Sequence, residues 1–153
     1  MKRVLVPVDY SEPSKEVLLY AAEIAHRLGG ELTVLHVWEC MPHAPPDLKV
    51  KTRGGGTKKL ADVIKENAEN DMKEFIASAK LPERLKVRTR VESGEAASRI
   101  LELVGSGDYD LLVMGTHGRG GVKYLVLGSV AEKLLRGSTI PVITLRAAPE
   151  ERA

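Results

Sequence analysis

Residues 109–135 read YDLLVMGTHGRGGVKYLVLGSVAEKLL, and this stretch decides the fold class of the chain. It begins with a continuous apolar run over 109–115, which is typical of a strand buried on both faces. A glycine-rich segment follows, and 128–136 then has the apolar spacing of a helix. Because a buried strand here leads through glycines into a helix, we expect this stretch to lie inside a parallel α/β sheet.

The rest of the chain repeats this alternation of strand and helix. The apolar and alternating patterns predict five strands, at 3–8, 31–37, 85–92, 109–115 and 141–145. They also predict four helices. The first begins near Ser11 and ends at Gly29, and the other three lie at 60–79, 95–104 and 128–136. Residues expected to face inward include Leu28 in the first helix and Val130, Ala131, Leu134 and Leu135 in the fourth.

Five strands alternating with four helices predict an open, Rossmann-like parallel sheet with right-handed crossovers and helices on both faces. The segment 85–92 has one polar face and is expected at a sheet edge. If the chain then returns beside the first strand, the strand order is 3-2-1-4-5. Ligands of such sheets bind where the order reverses, outside the carboxyl ends of the strands. The loops meeting there are 8–10 and 115–118.

Composition excludes several classes of protein. The 153 residues include 43% hydrophobic ones, enough for one core, and predict a single domain at 1–147 with a tail at 148–153. The net charge of +2, from 23 basic and 21 acidic residues, indicates no general nucleic-acid surface. Cys40 is the single cysteine, and no apolar run approaches the ~20 residues that span a bilayer. We expect a soluble cytoplasmic protein with no membrane or nucleic-acid partner.

The glycine-rich segment is the candidate anion site. Glycines let backbone N–H groups approach a ligand, and a helix beginning at Gly128 adds unpaired N–H groups that favour a phosphate. A flexible connector with an ordinary serine cap is the alternative for such a stretch. Its position after a buried strand favours ligand binding.

The common phosphate-binding motifs do not fit this segment. A Walker A loop beginning at Gly115 needs Lys-Ser or Lys-Thr where Gly121 and Val122 stand. A dinucleotide motif beginning at Gly118 meets Lys123 at its last glycine position. A P-loop NTPase and a standard dinucleotide fold are therefore disfavoured.

The spacing G-x2-G-x9-G-[ST] is present as Gly115, Gly118 and Gly128-Ser129. In this the chain resembles the nucleotide-binding class of the universal stress proteins, from VLVPVDYSEPS near its start to LGSVAEKLLRGSTIPVITL near its end. The resemblance implies ATP as ligand, with ADP and AMP as alternatives, and Mg²⁺ held mainly by the phosphates. It also implies a homodimer through the edge strand 141–145.

The resemblance implies a role for each site residue. Pro7 and Val8 would flank the base, the main chain of Val37 would contact the adenine edge, and Asp9 would accept hydrogen bonds from the ribose. The other expected positions are Met114 and Gly115 near the sugar, the amides of Gly118, Gly128, Ser129 and Val130 at the phosphates, and His117 and Arg119 beside them. Asp9 has an alternative role as an Asx-turn residue that caps the first helix.

Three functions remain open at this point. The first is a nucleotide-dependent switch or binding module in stress response, read by an unknown protein partner. The second is a slow Mg-dependent ATPase, for which only His117, Asp9 and Arg119 are candidates and no clear catalytic base is present. The third is a dimeric interaction module of the same fold that binds no nucleotide.

Two further features lie outside the glycine signature. The long segment 38–56 either closes over the nucleotide as a lid, presents a surface to a partner, or is a mobile solvated loop. His36, Cys40 and His43 are loosely spaced without a fourth partner, so we expect no metal site there.

Overall fold

The structure, a computed structural model, describes residues 1–39, 43–45, 47–116 and 127–146. Seven strands and four helices follow one another in this described part. They are β1 (Arg3–Pro7), α1 (Glu12–Arg27), β2 (Glu31–Trp38), β3 (Lys49–Lys51), β4 (Thr57–Lys59), α2 (Leu60–Ser78), β5 (Lys86–Ser93), α3 (Ala96–Gly105), β6 (Leu111–Gly115), α4 (Ser129–Gly137) and β7 (Val142–Leu145).

The main sheet contains five parallel strands in the order β5-β2-β1-β6-β7. In terms of the five predicted strands this order is 3-2-1-4-5, so the predicted topology is confirmed. β5 and β7 are the two edges. The strand order reverses between β1 and β6, as expected.

Helices cover both faces of this sheet, each over its own apolar cluster. Val4 and Val6 of β1 lie in a cluster with residues of α1 and α2. Leu5, between them, lies in the second cluster with residues of α3 and α4. This alternation along one fully buried strand follows from the two-residue period of β-structure.

The first helix has the predicted beginning and end. The Ser11 hydroxyl accepts a hydrogen bond from the Ser14 N–H at 3.2 Å, and Pro13 occupies the first turn. Gly29, with φ 62°, follows the C-cap residue Leu28. Leu28 was expected to face inward, but it is 40% exposed because it lies beyond the last buried turn.

The inward face of α4 is narrower than the spacing predicted. Ala131 and Leu134 are buried, whereas Val130 is 37% and Leu135 44% exposed. The helix has nine residues and packs along a single i, i+3 stripe. The prediction was therefore wrong for Val130 and Leu135.

The segment between β2 and α2 contains a small antiparallel sheet that the sequence analysis missed. β3 pairs with β4 through Lys49 with Lys59, Val50 with Lys58 and Lys51 with Thr57. The turn between them contains Gly55 at φ 85°, a conformation that favours glycine. Part of this segment, 40–42 and 46, lies outside the described residues, as do residue 147 and the predicted tail at 148–153.

Candidate functional site

The carboxyl ends of β1 and β6 separate where the strand order reverses. β1 pairs with β2 along its whole length, up to Pro7 opposite Leu35. Its pairing with β6 covers only Val4 opposite Leu111 and Leu5 opposite Leu112. Beyond those residues the two strands share no ladder, and a crevice of this kind is where open α/β sheets bind ligands.

The loop after β1 holds Asp9 in a network of short-range hydrogen bonds. Asp9 Oδ1 accepts hydrogen bonds from the N–H and the hydroxyl of Ser11. The Asp9 N–H donates to Ser14 Oγ at 3.0 Å. These contacts form the Asx turn of the alternative interpretation. They engage only Oδ1, so Oδ2 has no hydrogen-bond partner among the described residues and can accept one from a ligand.

Tyr10 sets the shape of this loop, and the sequence analysis gave it no role. Its φ of 65° is the one positive φ of a non-glycine residue in the described part of the chain. Its ring lies 4.2 Å from that of His36 and 5.4 Å from that of Phe75, centroid to centroid, and its hydroxyl donates to the Ala68 carbonyl at 2.9 Å. No local sequence signal predicts this conformation, because the contacts that hold it come from β2 and α2.

His36 also connects the end of β2 to the loop. Its Nδ1 lies 2.8 Å from the carbonyl oxygen of Val8. Because this nitrogen already contacts a protein carbonyl, it is poorly placed for a metal. Among the residues that the structure describes, no group of three His, Cys, Asp or Glu side chains could hold a metal ion. Cys40 lies outside those residues.

The backbone of Val37 points to the β1 side of β2, beyond the last residue of β1. The carbonyl of Leu35 accepts from the Val8 N–H on the β1 side, and that of Trp38 accepts from the Gly94 N–H on the β5 side. Backbone groups of a parallel strand alternate between its two neighbours, so the N–H and C=O of Val37 point to the β1 side. Since β1 ends at Pro7, no strand residue lies opposite them.

At the end of β6 the two ends of the glycine-rich segment meet. The Gly128 N–H donates to the Thr116 carbonyl at 2.9 Å, and the Thr116 N–H donates to the Leu145 carbonyl at 3.0 Å. The Met114 side chain is buried in the core on the α3 side, so only its main chain can face the crevice. His117, Gly118 and Arg119, named as site residues from the sequence, lie outside the described residues.

The first turn of α4 supplies N–H groups beside this junction. Gly128 is the N-cap and has no side chain to contribute a capping bond. Its own N–H is engaged by Thr116, whereas those of Ser129, Val130 and Ala131 make no hydrogen bond with another described residue. Unpaired N–H groups at a helix N-terminus favour an anion. Ala131 was expected only as a core residue, although its first-turn position alone identifies it as a further donor.

Comparisons with known proteins agree with this fold. The model of the universal stress protein family matches residues 1–146. The universal stress protein MJ0531 of Methanocaldococcus jannaschii is 27% identical over 152 residues, which are 98% of this chain and 85% of that protein. The universal stress protein A homolog 1 of Coxiella burnetii is 31% identical over 144 residues, 94% of this chain and 95% of that protein.

Solved structures are also similar. The protein MJ0577 superimposes with a TM-score of 0.74 at 22% identity, covering 97% of this chain and 98% of that chain. The Archaeoglobus fulgidus universal stress protein in complex with dAMP gives a TM-score of 0.65 at 21% identity, covering 95% of this chain and 98% of that chain. A universal stress protein in complex with cAMP gives a TM-score of 0.60 at 21% identity, covering 96% of this chain and 98% of that chain. At these identities the likeness establishes the Rossmann-like fold alone.

Proposed function

Because the chain belongs to the universal stress protein family, we propose that it binds an adenine nucleotide in the crevice between β1 and β6. ATP is the proposed ligand. In this proposal the bound nucleotide switches the protein between two states in the stress response, and a protein partner reads the difference.

The observation that carries the proposal is the separation of β1 from β6, together with the Val37 backbone, which has no strand residue opposite it among the described residues. A donor and an acceptor on one residue, Val37, match the donor and acceptor along one edge of adenine. Selectivity for adenine would then come from backbone groups. Pro7 and Val8, at the end of β1, would flank the base.

From the base at the end of β1, the sugar and the phosphates of the nucleotide would extend towards α4. Asp9 Oδ2 is the proposed acceptor for ribose hydroxyls, next to the main chain of Met114 and Gly115. The free N–H groups of Ser129 and Val130 would receive phosphate oxygens. Gly128 would act through its lack of a side chain, since its own N–H is engaged by Thr116. Gly118, His117 and Arg119 complete the proposed set from the sequence signature.

Mg²⁺ would be held mainly by the phosphates of ATP, since it keeps several waters and needs few protein ligands. Two of the similar structures contain dAMP and cAMP, which supports an adenine site without distinguishing ATP from smaller nucleotides. No helix in the described part of the chain is long and apolar enough to cross a membrane. A cytoplasmic homodimer is the form in which we propose that the protein acts.

Calorimetric titration of the purified protein with ATP and Mg²⁺ tests this proposal, after one aliquot has been denatured to detect co-purified nucleotide. Asp9→Asn keeps an oxygen for the Asx turn but replaces the free acceptor by a donor. Because hydrogen bonds to charged groups contribute ~1.5–3 kcal/mol, we expect binding about tenfold weaker or worse. Gly118→Val should abolish it.

Gly105→Val, at the end of α3, is the matched control for the glycine variant. A Cβ at Gly105 meets no atom within 4 Å, and its φ is not positive, so this variant should bind as the wild type does. Failure of the stripped wild-type protein to bind ATP would contradict the proposal. The dimeric interaction module would then be the leading function.

A further inference from the structure

A polar groove lies at the amino end of the sheet, opposite to the crevice discussed above. Its volume is about 390 Å³, within the ~300–1,000 Å³ range of small-ligand pockets. Its lining includes Arg3, Glu31, Thr33, Arg88, Arg90 and Asp108. None of these residues belongs to the proposed nucleotide site.

The strand register explains why the groove exists. Thr33 lies between Leu5 of β1 and Arg88 of β5, and these three side chains share the face that α3 and α4 cover. Leu5 is packed in the core of that face. At the β5 end of the same row Arg88 is exposed, since α3 contacts β5 further along, where Arg99 donates to Glu92. A polar surface is therefore left beside an apolar one.

Thr33 is the feature that points to a ligand. It is 7% exposed and is the one buried polar residue in the described part of the chain. Its hydroxyl makes no hydrogen bond with any described residue, yet it lines the groove. A buried hydroxyl without a partner costs free energy, so such groups call for a specific explanation.

The arginines of the groove also keep unused donors. Arg88 approaches Glu31 at 3.6 Å, beyond hydrogen-bond distance, and makes no hydrogen bond with a described residue. Arg3 donates Nε and Nη2 to Asp110, which leaves Nη1. Arg90 donates Nε to Glu92.

The arrangement of these groups defines the ligand chemistry. Three guanidinium groups and one hydroxyl are donors for the oxygens of a tetrahedral anion, which arginine binds through paired N–H groups. Glu31 and Asp108, in the same lining, can only accept hydrogen bonds when ionised. A ligand that satisfies both sets carries an oxyanion at one end and hydroxyl groups at the other.

We propose that this groove binds a small phosphorylated polyol, with its phosphate on Thr33 and Arg88 and its hydroxyl groups on Glu31 and Asp108. Arg3 and Arg90 are paired with Asp110 and Glu92, and the Arg88 side chain makes no hydrogen bond within the described part of the chain, so the groove favours a single phosphate over a polyanion. The site is separate from the proposed nucleotide site and needs no nucleotide for its formation.

The experiment is a titration of the isotope-labelled full chain with glucose 6-phosphate and, separately, with inorganic phosphate, followed by amide NMR shifts. We expect saturable shifts at Thr33, Arg88 and Tyr109, with a dissociation constant of about 1 mM or lower for glucose 6-phosphate. Inorganic phosphate should bind more weakly, because it lacks the hydroxyl groups. The amides of Gly115 and Ser129 should not move with either probe.

Thr33→Val and Arg88→Gln should each weaken binding of glucose 6-phosphate about tenfold or more. Thr57→Val on β4 and Arg136→Gln on α4 change the same residue types at exposed positions and should bind as the wild type does. No saturable shift with either probe would overturn the proposal. Shifts confined to Gly115 and Ser129, or binding that persists in both groove variants, would also overturn it.

A second measurement separates ligand binding from a structural role of the hydroxyl. Without ligand, Thr33→Val should melt at the wild-type temperature or above it, because it replaces an unpartnered buried hydroxyl by a methyl group of similar shape. With the same concentration of glucose 6-phosphate, the wild type should gain more thermal stability than Thr33→Val. A clear fall in melting temperature of the ligand-free variant would show that the hydroxyl has a structural partner, and would contradict the proposal.

Discussion

Tyr10 is the residue that fixes the loop at the end of β1. Its left-handed backbone costs about 1–2 kcal/mol for a residue with a Cβ, so other contacts must offset that cost. The ring contacts with His36 and Phe75 and the hydrogen bond to Ala68 do so. These contacts connect β1, β2 and α2 directly beneath Asp9.

Tyr10→Phe should lower the free energy of unfolding by about 1 kcal/mol, since it removes one hydrogen bond and keeps the ring contacts. Urea denaturation followed by circular dichroism measures this value. Tyr20→Phe is the control, because Tyr20 is 52% exposed and its change should be near zero. Equal effects of the two substitutions would show that the hydroxyl of Tyr10 contributes nothing.

At the scale of elements, α3 begins with an unusual cap. Glu95 is the N-cap residue, and its carboxylate accepts hydrogen bonds from the Ala97 and Ser98 N–H groups and the Ser98 hydroxyl. These bonds, the Ser98 hydroxyl first, lower the pKa of Glu95 to about 2. The ionised carboxylate of Glu95 therefore stabilises the folded state.

Glu95→Gln should lower the free energy of unfolding by about 0.5–1 kcal/mol near neutral pH. This value is at the lower end of the range for helix N-caps, because the Glu95 side chain is exposed. In the folded state the pKa of Glu95 lies below its ordinary value. The contribution of its carboxylate to stability is therefore complete above about pH 5 and is lost as the pH falls towards 2. Denaturant melts of both proteins across this range measure the difference. Glu74→Gln, an exposed change on α2, is the control. A difference that stays constant down to pH 2 would contradict this account.

At the scale of the whole molecule, the two sheet edges differ. The β5 edge carries Lys86, Arg88 and Arg90 on one face, and such charges discourage pairing with another chain. β7 is short and bears apolar residues without a charge. This asymmetry supports the proposal that the homodimer forms through β7.

Thr144→Pro tests the dimer. The Pro141 carbonyl accepts from Leu112 of β6, and the Leu145 carbonyl accepts from Thr116 just after β6. By alternation, the backbone of Thr144 points away from β6. Proline there removes an outward donor and leaves the ladder to β6 intact. We expect a monomer at micromolar concentration by light scattering, whereas Thr144→Val should remain dimeric. A dimeric proline variant, or a monomeric wild type, would contradict this interface.

Much of the structure could be predicted from local sequence. The strand at 109–115, the Ser11 cap and the glycine stop of α1 depend on neighbouring residues, so their patterns are visible along the chain. The antiparallel pair β3–β4 was missed, although the glycines at 54–56 between Lys51 and Thr57 are a turn signal. The candidate site was predicted as a set of loops, with Asp9, Val37, Gly115 and Ser129 in it.

The sequence by itself determined the succession of strands and helices, the buried strands and the spacing of the glycine signature, because each depends on short-range periodicity and on conformational preferences of single residues. Only the tertiary structure decided how β1 separates from β6, why Tyr10 adopts a positive φ, and that Thr33 is buried beside three arginines. These features arise between residues far apart in the chain. Their energies depend on packing and register, which no local pattern of residues contains.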